Sequence, residues 1–212
     1  KMPANPRLLI DGFSGTSYKL FINGKEVNDK GRRSKLDAEI KEIDVKKYLR
    51  EGKNLITVKL TANRRTDGLL DLIKIVGDFA LKAKGEEYVI AEKPAQLRVG
   101  DWTKQGYPQY SGTIFYKHEV YVPENYLDGK LFLEADCGED VMEVKVNGSE
   151  SMVAPWRPYR FDVTGKVKAG KNTIEIGVTN TLINMLEAVE HKSGLLKNAK
   201  LVYEPKYEFI IK

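Results

Sequence analysis

Apolar and polar residues alternate along most of this chain. In "YKLFINGKEV", Leu20 and Ile22 fall on one face and Lys19 and Phe21 on the other, before Asn23-Gly24. "MEVKVNGSESM" repeats the arrangement, with Val144 and Val146 on one face ahead of Asn147-Gly148. Successive side chains of an extended strand point to opposite faces, so this period of two predicts half-buried strands. Asn-Gly tolerates positive φ at both positions and closes tight hairpins. Further strands are expected in "NLITVKLTA", "GTIFYKHEVYV", "KLFLEAD", "NTIEIGVTN" and "AKLVYEP". Helical periodicity is confined to short stretches such as "SKLDAEI". Many short strands joined by turns predict an all-β sandwich or jelly roll.

Two segments align without gaps. "IDVKKYLREGKNLITVKLT" from Ile43 lies over "FDVTGKVKAGKNTIEIGVT" from Phe161, with seven identities in nineteen positions. Each follows its own Asn-Gly pair. The unit reads as a strand ending at Asp-Val, a turn carrying an apolar plug (Leu49 or Val167), and a Gly-Lys-Asn turn into the next strand. Glycine supplies positive φ there, and the asparagine side chain bonds local backbone. A duplicated sandwich follows. The Lys/Glu-rich stretch "KAKGEEYVIAEKPAQ" sets the expected boundary, giving modules 1–84 and 85–212, and a truncated start is expected for the first.

Composition excludes several functions. Of 212 residues, 35 are Lys or Arg and 30 are Asp or Glu, a net charge of +5 with no basic block longer than a pair. A nucleic-acid partner is not expected, because that needs a concentrated basic face. No apolar run approaches a membrane span, so no membrane partner is expected. The single Cys137 excludes an internal disulfide framework and suits either a cytosolic protein or an exported bacterial one. The opening "KMPANPRLLI" lacks the basic-then-apolar order of a signal peptide and reads as a piece of something longer.

"GDWTKQGYPQYSGTIFYKHEVYVP", "VKVNGSE" and "APWRPYRFDVTGKVKAGKNTIEIGVTNTLINML" resemble the galactose-binding-like β-sandwich of glycoside hydrolase family 2. They are more similar still to the tandem sandwiches at the C-terminal end of large bacterial enzymes of the α-L-rhamnosidase type. "FINGKEV", "IDVKKYLREGKNLITV" and "IKIVGDFAL" are similar to the companion module, and "HKSGLLKNAKLVYEP" to closing strands. The resemblance spans roughly residues 8 to 205. It implies two tandem galactose-binding-like jelly rolls in an accessory region. The parent enzyme's catalytic residues lie in another domain, so none is carried over. The implied partners are a carbohydrate and the parent's catalytic domain, and the favoured compartment is extracellular or periplasmic in a bacterium.

Six residues form the candidate sugar site: Trp102, Tyr107, Tyr110, Trp156, Arg157 and Tyr159. Exposed rings cover the C–H face of a pyranose, and a guanidinium bonds its hydroxyls. The competing reading makes the two tryptophans packing plugs. Arg160 is expected in an ion pair with Asp162, which shares its strand face, or with Asp136 or Asp140. Glu134, Asp136, Glu139 and Asp140 lie near a glycine turn and raise the possibility of a structural calcium, though a solvated acidic turn is favoured. No other cofactor is expected. His118 is expected to pack or hydrogen-bond on its strand and His191 to be exposed. No serine elbow, Cys/His pairing or zinc spacing points to catalysis.

Overall fold

A computed structural model describes residues 2–35, 37–187 and 189–206. The fold is all-β, and its antiparallel sheets divide between two compact units, Lys1–Lys93 and Pro94–Lys212.

The first unit contains β1 (Ala4–Ile10), β2 (Phe13–Ser14), β3 (Ser17–Ile22), β4 (Lys25–Glu26), β5 (Arg32–Arg33) and β6 (Lys41–Asp44). It continues through β7 (Ile56–Thr61), β8 (Gly68–Leu69), β9 (Lys74–Asp78), β10 (Ala80–Lys84) and β11 (Glu87–Ala91). Sheets in the orders β5-β6-β1-β9 and β4-β3-β7 supply its core. Leu8, Ile10 and Ile43 come from one sheet, Leu20 and Ile22 from the other. The expected 84/85 boundary falls within the β10–β11 hairpin, whose turn holds Gly85 at φ 66°. The weak helical stretch is not a helix over its described residues. There the Asp37 side chain accepts the Glu39 amide at 2.8 Å, and Ser34 N–H donates to the Ile40 carbonyl. A short polar side chain that bonds its own backbone competes with helix.

The second unit contains β12 (Thr113–Val122), β13 (Lys130–Asp136), β14 (Val141–Val146), β15 (Met152–Ala154), β16 (Arg160–Asp162), β17 (Gly170–Thr179) and β18 (Lys197–Glu204). Sheets β12-β17-β14-β15 and β16-β13-β18 make its sandwich. Met142, Val144, Val146, Ile174, Ile176 and Val178 meet Leu131, Leu133, Phe161 and Val163 in the core. These are the alternating apolar positions of their strands, since one sheet face is buried.

The repeat is a hydrogen-bonded device present twice. Asn23 and Asn147 both sit at φ 51°, followed by Gly24 and Gly148, also at positive φ. Asn23 Nδ2 donates to the Tyr48 carbonyl and to Asn54 Oδ1, and its Oδ1 accepts the Leu55 amide. Asn147 Nδ2 donates to the Lys166 carbonyl and to Asn172 Oδ1, and its Oδ1 accepts the Thr173 amide. Asn54 and Asn172 then tie their own turns. Each accepts an amide four residues back and donates to two turn carbonyls. Asn147 is thereby committed to the fold.

Candidate functional site

The six expected sugar-site residues do not form one patch. Trp102 lies in a short 3₁₀ turn (Trp102–Gln105) whose first amides are capped by Asp101, which accepts from Thr103 N at 2.9 Å. Its indole is 0% exposed and belongs to the core. It meets Tyr110 edge-to-face at 5.7 Å, and Tyr110 meets Tyr107 the same way at 5.8 Å. The Tyr110 hydroxyl donates to the Thr113 carbonyl. This trio seals one part of the sandwich, and Trp102 offers no ring face to a ligand.

Tyr159 is also buried. Its hydroxyl donates to the carbonyls of Gly138 and Asp140 at 3.1 and 2.7 Å, and burial drives its pKa well up. Beneath it lies Cys137, whose thiol burial pushes up to about 11. A thiol so placed is packing material rather than a nucleophile.

Trp156 and Arg157 are the exposed members. They stand in the segment between β15 and β16, where the Arg157–Pro158 peptide is cis. Trp156 is 73% exposed, the largest solvent-facing aromatic surface of the expected site. The next residues line a shallow cavity of about 530 Å³ with Glu134, Ala135 and Asp136 of β13. Arg157 lies 3.7 Å from Asp136, which also pairs with Lys197 at 3.1 Å. The Gly138 amide, then Lys197 and Arg157, hold the Asp136 carboxyl below its usual range. Carboxylates and guanidinium groups therefore share one rim, next in sequence to an open indole.

Arg160 pairs with Glu134, opposite it on β13, and with Glu204 of β18, and it covers the Phe132 ring at 4.0 Å. Asp162 is not its partner. Across a sheet, opposed side chains stand closer than neighbours two apart along one strand, so the cross-strand acids win. His118 faces inward in register but is exposed, because β12 is a sheet edge and a cavity lies beside it. His191 is half-buried, 3.6 Å from Glu139.

The four acids of the expected turn disperse. Glu134 and Asp136 enter ion pairs, Glu139 lies by His191, and Asp140 is buried. Among the described residues no group of three or more His, Cys, Asp or Glu converges as a metal site. Asp140, expected in a solvated turn or beside Arg160, is the acid whose burial sequence reasoning missed. At 2% exposure it accepts the Gly194 amide at 3.2 Å and lies 3.5 Å from Ser193 Oγ. Burial pushes its pKa up to about 6 against the lowering pull of those bonds and of His191. Its one sequence signal is "HKSGLL", whose Ser-Gly supplies a small hydroxyl and a close-approaching amide. A side chain on Gly194 would meet the Gly100 carbonyl at 2.7 Å.

No family model matches the sequence. Over 84 residues the chain is 36% identical to a putative β-glucuronidase of Formosa agariphila, covering 39% of this chain and 7% of that protein. A rhamnosidase structure from a Novosphingobium species aligns over 94% of this chain and 22% of its own, at 19% identity and a TM-score of 0.42. A glycosyl hydrolase family 2 member from Bacteroides cellulosilyticus aligns over 59% and 18%, at 17% identity and a TM-score of 0.40. The chain thus spans less than a tenth of the curated relative and about a fifth of those structures. The sequence similarity is thus to one segment of a putative β-glucuronidase, over 39% of this chain.

Proposed function

We propose that this chain is a non-catalytic carbohydrate-binding or substrate-positioning region of a glycoside hydrolase, built from two galactose-binding-like modules, and that Trp156 and Arg157 hold the sugar. The observation that carries this reading is the exposed indole beside a rim of mixed charge. An indole in water has a large apolar face to cover, and the C–H side of a pyranose fits it. Arg157 presents planar donors, and Glu134 and Asp136 present acceptors, for hydroxyls around the ring. The cavity is shallow, which suits a terminal sugar or one face of a chain better than an enclosed substrate. Trp102, Tyr107, Tyr110 and Tyr159 contribute by holding the module rigid.

Calorimetric titration with a panel of oligosaccharides, including rhamnose- and galactose-containing ones, tests it. The expected result is saturable binding that Trp156→Ala and Arg157→Ala abolish while the near-ultraviolet spectrum stays native. Absence of binding across the panel would sink the reading and leave the modules as scaffolding for a catalytic domain.

A further inference from the structure

β12 is ten residues long and pairs with β17 on one side only. The phase of that ladder decides which peptide groups are left over. Asn180 N–H donates to the Gly112 carbonyl directly across, at 3.3 Å, and on the far side of β17 Asn147 N–H donates to the Thr173 carbonyl at 2.8 Å. Hydrogen-bonded and non-bonded pairs alternate in an antiparallel ladder. Even-numbered residues of β12 therefore aim their peptide groups at β17, and odd-numbered ones aim theirs outward. The Tyr110 hydroxyl takes the outward carbonyl of Thr113. The outward groups of Phe115, Lys117, Glu119 and Tyr121 have no backbone partner among the described residues.

The side chains of those four residues are exposed as well, Phe115 by 53% and Tyr121 by 74%. A long edge of this kind templates another strand unless its charges repel the newcomer. Here they do not repel a second copy. We propose that β12 pairs antiparallel with β12 of a second copy about a twofold axis at His118, joining the two four-stranded sheets into one. In that register Lys117 stands opposite Glu119 of the copy, and Phe115 opposite its Tyr121. The symmetry makes each pair twice. Shifting the axis by one residue either way would set Lys117 on Lys117 or Glu119 on Glu119. Charge thus selects the register that also joins the aromatics. Lys117 makes no ion pair among the described residues, while Glu119 meets Lys171 at 2.8 Å and keeps its other side open. On the inner face Tyr116 meets the copy's Val120, beside a cavity of about 790 Å³ floored by Leu133, Ile176 and Leu195.

Sedimentation equilibrium of the full chain tests the proposal. The expected result is a dimer that dissociates on dilution, with amide exchange at residues 115, 117, 119 and 121 slowing as concentration rises. Lys117→Glu and Glu119→Lys should each weaken association by about tenfold or more, and the double exchange should restore it. These side chains are exposed, so circular dichroism should show all variants folded. A chain that stays monomeric overturns the proposal and leaves the edge to a strand of another protein. A dimer indifferent to the single changes, or not rescued by the double one, overturns it too.

Discussion

The two units carry the same asparagine-tied turn, atom for atom, yet use it in different surroundings. In the second unit Asn172 is 1% exposed and the plug Val167 is buried, while in the first Asn54 and the plug Leu49 are both half-buried. The cores differ in the same direction. The second packs Trp102, Phe161, Tyr159 and three buried aliphatic residues of β17, where the first closes on seven aliphatic side chains. Equal hydrogen bonds are therefore unequal in consequence. A bond buried away from water leaves a costly unpaired group when one partner is removed, whereas a wetted one is replaced by solvent. The lesson is that the repeat encodes geometry, and burial sets how much that geometry weighs.

Both tryptophans lie in the second unit, so indole fluorescence reports on it alone and far-ultraviolet dichroism reports on both. The largest expected effect is Trp102→Ala, which removes a fully buried ring and should cost about 4 kcal/mol in the fluorescence-detected transition. A loss below about 1 kcal/mol would mean that the second core does not depend on this plug.

Next comes Asp140, the buried carboxyl with no counterpart in the first unit's repeat. Its folded pKa of about 6 lies above the ordinary 3.8. Folding therefore favours the protonated form, and stability from this group is full below about pH 4 and lost as pH rises through about 6. The difference amounts to about 3 kcal/mol. Urea titrations from pH 4 to 7.5 should show that slope in the fluorescence signal, and Asp140→Asn should flatten it. A slope that survives the substitution assigns it to another group.

The matched pair Asn172→Ala and Asn54→Ala tests the comparison directly. Asn172→Ala should cost about 3 kcal/mol and Asn54→Ala about 1 kcal/mol, although each removes the same four bonds. Equal losses would show that the bonds, not their burial, set the cost. The smallest effect belongs to Trp156→Ala, within about 0.5 kcal/mol of the parent, since an exposed ring far from the core contributes little. Set against Trp102→Ala, it separates a ring kept for packing from one available to a ligand.

Most of the fold was legible because one sheet face is buried and the other wet, so alternation records each strand. "KLFLEAD" coincides with β13, and both Asn-Gly pairs turn at positive φ as expected. The candidate site was legible only in part. Trp102 and Trp156 both sit near Pro and Tyr, and nothing local distinguishes the buried ring from the exposed one. Arg160 is expected beside Asp162, Asp136 or Asp140, whereas its partners are Glu134 of β13 and Glu204 of β18. Such partners depend on which strands become neighbours.

The sequence by itself determined the all-β class, the long alternating strands and the duplicated turn, because each is written in local spacing and side-chain chemistry. Tertiary structure alone decided that Trp102 is sealed and Trp156 open, that Asp140 is dry, and that β12 is an edge. Those facts follow from how strands distant in sequence pair and stack, and from the water their packing excludes.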